Sequence, residues 1–324
     1  MERAGAAHDA GAAHVSAADT AHRPRVERAI RFIAEHLDEP ITLADVARVA
    51  HLSEHHFHRV FAAVTGEPIG RFITRRRLEL AALRLAYEPA RSVTEIGLSV
   101  GYSSPSNFAK AFSAHFGCTP SHVRAPGAAL PAALGRLATR YGRSFDPLAL
   151  HALPPDAPPA RVREELARLR ASLRFETRDA PLPLACLASP DGYDTDAIGE
   201  TIARLVEHAL ARGLSDEAVD VWGIGYDSPV LTAPELRRYH AAVPCPAGSE
   251  LPAPFFPGAV GPGRFAVFDY DGPVDGVEAR WLSVYSTWLP ASGLRAGAHV
   301  ALDRYVGDWP EDGRVRMELW LAVE

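Results

Sequence analysis

Two sets of side chains in this sequence have types and spacings that could do chemistry. In the last part of the chain, period-two alternation along His299–Tyr305 puts Ala301, Asp303 and Tyr305 on one face of a strand and Leu302 and Arg304 on the other. A carboxylate beside Tyr305, with Trp222 and Tyr226 on a neighbouring expected strand, would form an aromatic box able to accept a cation. Trp281, Tyr285 and Trp288 recur at i, i+4 and i+7 on one helix face. Such a stripe is more often core than ligand wall; Trp281 reads as core, while Tyr285 and Trp288 stay candidates for the box. The second set is polar and basic. His55, His58 and Arg59 lie opposite the apolar stripe Phe57, Val60, Phe61 and Val64, and Ser106 and Lys110 lie opposite Phe108, Ala111 and Phe112. Small or hydrogen-bonding residues around one cation suit a helix that enters a DNA major groove.

Other chemistries find no support. His55, His56 and His58 lack a carboxylate or cysteine to complete a metal site. There is no Ser-His-Asp order and no paired carboxylate, so no catalytic residue, metal or cofactor is assigned. Cys118, Cys186 and Cys245 lie far apart, which suits a reducing cytoplasm. No stretch approaches the roughly 18 apolar residues of a membrane helix, and the N-terminus lacks the apolar segment of a secretory signal.

The elements that must position these residues divide a chain of 324 residues. That length favours two domains. Residues 1–22 have no apolar period and read as a disordered tail. Residues 23–124 carry 14 Lys+Arg against 10 Asp+Glu, and residues 171–324 carry 12 against 23. Between them, residues 125–170 form a Pro/Ala-rich linker with a lead-in helix from Arg161, and Ala132–Tyr141 has the spacing for a helical turn or two.

The first domain reads as a duplication. Thr42-Leu-Ala-Asp45 and Ser92-Val-Thr-Glu95 both fit the box in which a hydroxyl caps a helix and a carboxylate answers it. Each opens a short helix, a turn and a second helix, and Phe57/Phe108, Phe61/Phe112 and Gly66/Gly117 repeat at one offset. This is an all-α double helix-turn-helix. Ile69–Tyr87 reads as one helix between the repeats, and 19 residues at ~1.5 Å each span roughly 28 Å, near the ~34 Å separating successive major-groove faces. Arg75, Arg76 and Arg77 on that helix read as phosphate-positioning or solvated.

The second domain reads as α+β with duplicated strand-helix halves. Helices Asp196–Arg212 and Val274–Leu289 alternate with short strands, and Gly192/Gly272, Gly213/Gly293 and Leu214/Leu294 repeat at a common offset. The expectation is a pseudosymmetric sheet with helices on one face.

LADVARVAHLSEHHFHRVFAAVTGEPI and VTEIGLSVGYSSPSNFAKAFSAHFGCTPSHVR resemble the DNA-binding domain of the AraC/XylS family, over about residues 24–124. The resemblance implies a transcription regulator whose base-contacting positions fall on His55, His58, Arg59, Ser106, Asn107 and Lys110. One departure is His51, where many members have glycine. WGIGYDSP, WLSVYSTWLPASGL and VALDRY resemble the GyrI-like ligand-binding domain, over about residues 172–324. That resemblance implies a cleft between the halves for amphipathic, often cationic, molecules. Its usual glutamate falls on Asp303, one methylene shorter. The order of the two domains is similar to that of the right-origin-binding group.

Three functions follow as expectations. The first is a sequence-specific DNA-binding transcription regulator sensing an amphipathic small molecule, cationic where Asp303 is its counter-ion. The second makes the C-terminal domain a hydrolase of a reactive small molecule. The third makes its acidic surface a protein-interaction module, with RNA polymerase as a partner.

Overall fold

The computed structural model describes residues 17–124, 147–154, 156–213, 220–297, 301–307 and 313–324. Helix α1 (Ala17–Glu35) starts inside the expected tail, because an Ala-rich segment favours helix even with Pro24 within it. Then come α2 (Leu43–Val49), α3 (Glu54–Thr65), α4 (Ile69–Tyr87), α5 (Val93–Ser99), α6 (Pro105–Phe116) and α7 (Pro120–Arg124). Both capping boxes close, Thr42 with Asp45 and Ser92 with Glu95. Both α3 and α6 end on a left-handed glycine, Gly66 at φ 76° and Gly117 at φ 71°. The duplication therefore extends to the caps. In the α2–α3 turn His51 takes φ 53°, where the second repeat has Gly101 at φ 83°. Histidine thus occupies the left-handed backbone that the repeat requires.

The first helix-turn-helix packs around Ile33, Phe57, Phe61 and Phe72. The second packs around Ile96, Phe108, Phe112 and Phe116, with Leu78 and Leu85 of α4. That second core does not stop at the domain boundary. It continues through Leu150 of the short turn Pro147–Leu150 and Leu169 of α8 (Pro159–Ala171) into the second domain. The helical turns expected at Ala132–Tyr141 lie outside the described residues.

Among the described residues the second domain holds one antiparallel sheet of eight strands: β1 (Leu173–Arg178), β2 (Leu182–Ala188), β3 (Trp222–Gly225), β4 (Tyr239–Pro244), β5 (Phe256–Val260), β6 (Gly263–Pro273), β7 (Ala301–Tyr305) and β8 (Arg314–Val323). Their order is β1-β6-β8-β7-β3-β4-β2-β5. The order reads the same from either side of the β7–β3 junction, so β2, β3 and β4 match β6, β7 and β8. Helix α9 (Thr195–Ala211) follows β2, and α10 (Val277–Ser283) follows β6. From α10 the chain widens into a π-helical turn (Val284–Trp288) and ends in α11 (Leu289–Ser292). The two-fold halves are as expected; β5 is not. Its sequence FPGAV reads as loop, but Pro257 is tolerated at a sheet edge. Gly258 is needed there because a side chain would strike Cys186 Sγ on β2.

Candidate functional site

On α3 and α6 the expected reading face is free. His55, His58 and Arg59 are exposed, as are Ser106, Asn107 and Lys110, while Phe57, Phe61, Phe108 and Phe112 behind them are fully buried. Ser104 caps the start of α6, and a left-handed glycine closes each of the two helices. The three consecutive arginines of α4 belong elsewhere. Arg75 is 3% exposed and bonds Glu67 and Glu79. Arg76 reaches Asp227 at 3.1 Å, and Arg77 donates to the Leu37 and Glu39 carbonyls. Sequence gives only their charge; the partners lie up to 152 positions away. Among the described residues no group of three or more His, Cys, Asp or Glu is placed to hold a metal ion, and no helix is long and apolar enough to cross a membrane.

A cavity of about 420 Å³ opens beside the β3–β7 junction. Asp303 lies in its wall, 8% exposed, accepting one hydrogen bond of 2.8 Å from Trp281 Nε1. Burial raises its carboxyl to about 6, and the indole N–H pulls back only part of that. No cation pairs with Asp303 among the described residues. Tyr305 lies two residues on, and its hydroxyl is 2.7 Å from that of Tyr239. Tyr193 donates to the Asp227 carbonyl at 2.7 Å. Tyr285 stacks on Trp281 with ring centres 5.6 Å apart. Burial pushes all four of these phenols up, so they remain neutral donors. Its lining also carries the exposed carboxylates Asp275 and Glu278 and the guanidinium groups of Arg76, Arg84 and Arg237.

Glycine on β3 makes this arrangement possible. Gly223 pairs with Asp303 and Gly225 with Ala301, so both point to the cavity side. A side chain at Gly223 would overlap the Tyr239 hydroxyl, and one at Gly225 would meet that of Tyr193 at 2.6 Å. The alternating Gly-Ile-Gly of WGIGYDSP was the available signal for Tyr193 and Tyr239, which the sequence reading missed.

Of the expected box, Asp303, Tyr305, Tyr285 and Tyr226 line the cavity. Tyr226 is turned largely aside, its ring under Arg238 and its hydroxyl 3.2 Å from His240. Trp222 and Trp288 do not belong to the box. Trp222 pairs with Arg304, hence faces the opposite side of the sheet from Asp303, and packs on Trp320 at 5.2 Å. Trp288 packs on Phe268 at 5.0 Å in the core. The π turn is the reason: its wider winding rotates Trp288 away from the face it would share with Trp281 in a uniform α-helix. Trp281, expected in the core, is the residue that meets Asp303.

A family model described as a helix-turn-helix domain matches residues 46–126, and one described as a GyrI-like small molecule binding domain matches residues 188–324. Regulatory protein SoxS of Salmonella typhimurium is 34% identical over 103 residues, which are 32% of this chain and 95% of SoxS. The right origin-binding protein of Escherichia coli is 39% identical over 89 residues, 28% of this chain and 30% of that protein. A solved transcriptional regulator with an AraC-type DNA-binding domain from Chromobacterium violaceum superposes with a TM-score of 0.31 at 27% identity, covering 32% of this chain and 91% of that one.

Proposed function

This chain belongs to the AraC-type family of DNA-binding transcription regulators and couples that domain to a GyrI-like small-molecule-binding domain, and on this premise we propose that its effector is an amphipathic cation held around Asp303. The observation that carries the reading is a buried carboxylate with one hydrogen-bond donor, no basic partner among the described residues, and aromatic side chains around it. An unpaired buried charge is costly, and a cationic ligand over aromatic faces offsets that cost. The volume falls in the ~300–1,000 Å³ range of sites for drug-sized ligands. Residues 171–324 form the effector-binding part, 125–170 the connection, and 23–124 the part that reads DNA. His55, His58, Arg59, Ser106, Asn107 and Lys110 are its base-edge and phosphate contacts. RNA polymerase enters as protein partner of the acidic second domain, supported by 23 Asp+Glu against 12 Lys+Arg there. A cytoplasmic location accords with three free cysteines.

Calorimetry of the full chain with tetraphenylphosphonium and neutral triphenylphosphine oxide tests the effector class. Asp303→Asn keeps the shape and removes the charge. It should weaken the cation about tenfold or more and leave the neutral analogue within about twofold. Equal losses for both, or none, would remove Asp303 from the role of counter-ion. Consumption of a reactive alkylating compound by the chain, lost in Asp303→Asn, would turn the reading to a hydrolase.

A further inference from the structure

The cavity is not built by the second domain alone. Along α4, Arg76, Glu79, Leu80, Leu83, Arg84 and Tyr87 line it, at i, i+3, i+4, i+7, i+8 and i+11. That is one unbroken face of a helix. The facing wall is Trp281 and Tyr285, and Tyr87 stacks on Tyr285 with ring centres 5.9 Å apart. The other faces of α4 are committed to the two helix-turn-helix cores, through Phe72 on one side and Leu78, Ala81 and Leu85 on the other. The same helix that spaces α3 from α6 therefore also closes the cavity over Asp303.

A closed ionic network latches α4 beside this wall. Asp227, whose side chain is fully buried, takes Arg75 at 3.3 Å, Arg76 at 3.1 Å and Arg238 at 2.9 Å. Glu79 takes Arg75 at 3.0 Å and a hydrogen bond of 2.9 Å from Thr232 of the second domain. A second contact holds α1, where His240 of β4 lies 3.4 Å from the buried Glu27. The open volume lies alongside these contacts, so a ligand can fill it without breaking them.

We propose that α4 is a wall of the effector site, so that the effector is gripped by both domains at once and fastens the DNA-binding domain to the effector-binding domain. This rests on reading the cavity as the effector site. Apolar surface of Leu80, Leu83 and Tyr87 on one side and of Trp281 and Tyr285 on the other would be removed from water together. Occupancy then stabilises the docked arrangement, and any change in α4 that narrows or loosens the wall lowers effector affinity by linkage.

The test uses the full chain, tetraphenylphosphonium as probe, and calorimetry beside thermal unfolding. Leu83→Trp projects into open volume from the DNA-binding side. It should leave the unfolding temperature of the free chain unlowered and weaken the probe about tenfold or more, while Leu83→Ala should weaken it about fivefold. In the wild type, the probe should slow amide exchange along Arg76–Tyr87. Wild-type affinity in both Leu83 variants, with affinity lost in Asp303→Asn, would overturn the inference and leave the cavity reading intact. Wild-type affinity in Asp303→Asn as well would overturn both. If Leu83→Trp fails to fold, unslowed exchange along α4 decides against the proposal and slowed exchange with weakened Leu83→Ala supports it.

Discussion

Burial sets the energy of Asp303. Its carboxyl titrates at about 6, against about 3.9 in an unfolded chain. The native state therefore binds this proton more tightly, and the residue's contribution to stability falls as pH rises from about 4 through about 6. Asp303→Asn removes that penalty. Without ligand it should be more stable than the wild type by roughly 3 kcal/mol at most at pH 8, with the difference vanishing below about pH 4. Denaturant unfolding across pH reads this directly; a variant less stable than wild type at pH 8 would contradict it. On the proposed reading face, Arg59→Ala and Lys110→Ala each remove an exposed cation. Each should cost about 1–3 kcal/mol of specific DNA binding and relax preference at one position, measured by competition between duplexes. Phe57→Ala and Phe112→Ala should lose binding through unfolding instead, which circular dichroism separates. Residues whose placement follows from a local period were legible in the sequence: both buried phenylalanine stripes, the exposed faces opposite them, and Asp303 with Tyr305 on one face of β7. Trp222 was not, because the face on which it lies depends on pairing with β7, where its partner Arg304 is 82 residues away.

At the scale of elements, duplication was the strongest signal. It placed both capping boxes and the turn at His51, while the apolar spacing between the repeats placed the whole span of α4. What hid the aromatic wall was one π turn, which shifts the phase of Trp281 and Trp288 without any marker in composition. What hid the role of α4 was that it is buried on several sides, so that its three arginines look solvated by sequence and are in fact paired. Asp227 is the test of that pairing. Burial alone would raise its carboxyl, but Arg238, Arg76 and Arg75 hold it at about 2. Its contribution to stability is thus present above about pH 4 and is lost as pH falls toward about 2. Asp227→Ala would leave three buried or half-buried guanidinium groups short of a partner and should destabilise the chain by about 3–5 kcal/mol, seen in denaturant unfolding at pH 7. An unchanged midpoint would mean that the network contributes nothing to docking.

Over the whole molecule, the two domains share a core rather than a mere tether. Phe108 and Phe112 of the second helix-turn-helix belong to the same buried cluster as Trp288 and Leu319 of the effector-binding domain. Tyr87 reinforces it by donating to the Leu150 carbonyl at 2.7 Å. Nothing local in the sequence announces contacts between residues 150 or more positions apart, so the domain order was readable and the docking was not. In the proposed mechanism, docking joins DNA reading to effector binding. The first repeat is held through Glu27 and His240, the spacer helix through Asp227, and both reading faces stay exposed in that arrangement. An effector that stabilises it should therefore favour DNA, and DNA should favour the effector by the same factor. The direct measurement is the affinity of the full chain for a duplex selected from a random pool, by fluorescence anisotropy at one fixed salt concentration, with and without saturating tetraphenylphosphonium. Binding should tighten about fivefold or more, with the probe bound that much more tightly by the DNA complex. Affinity unchanged or weakened by the probe would contradict it.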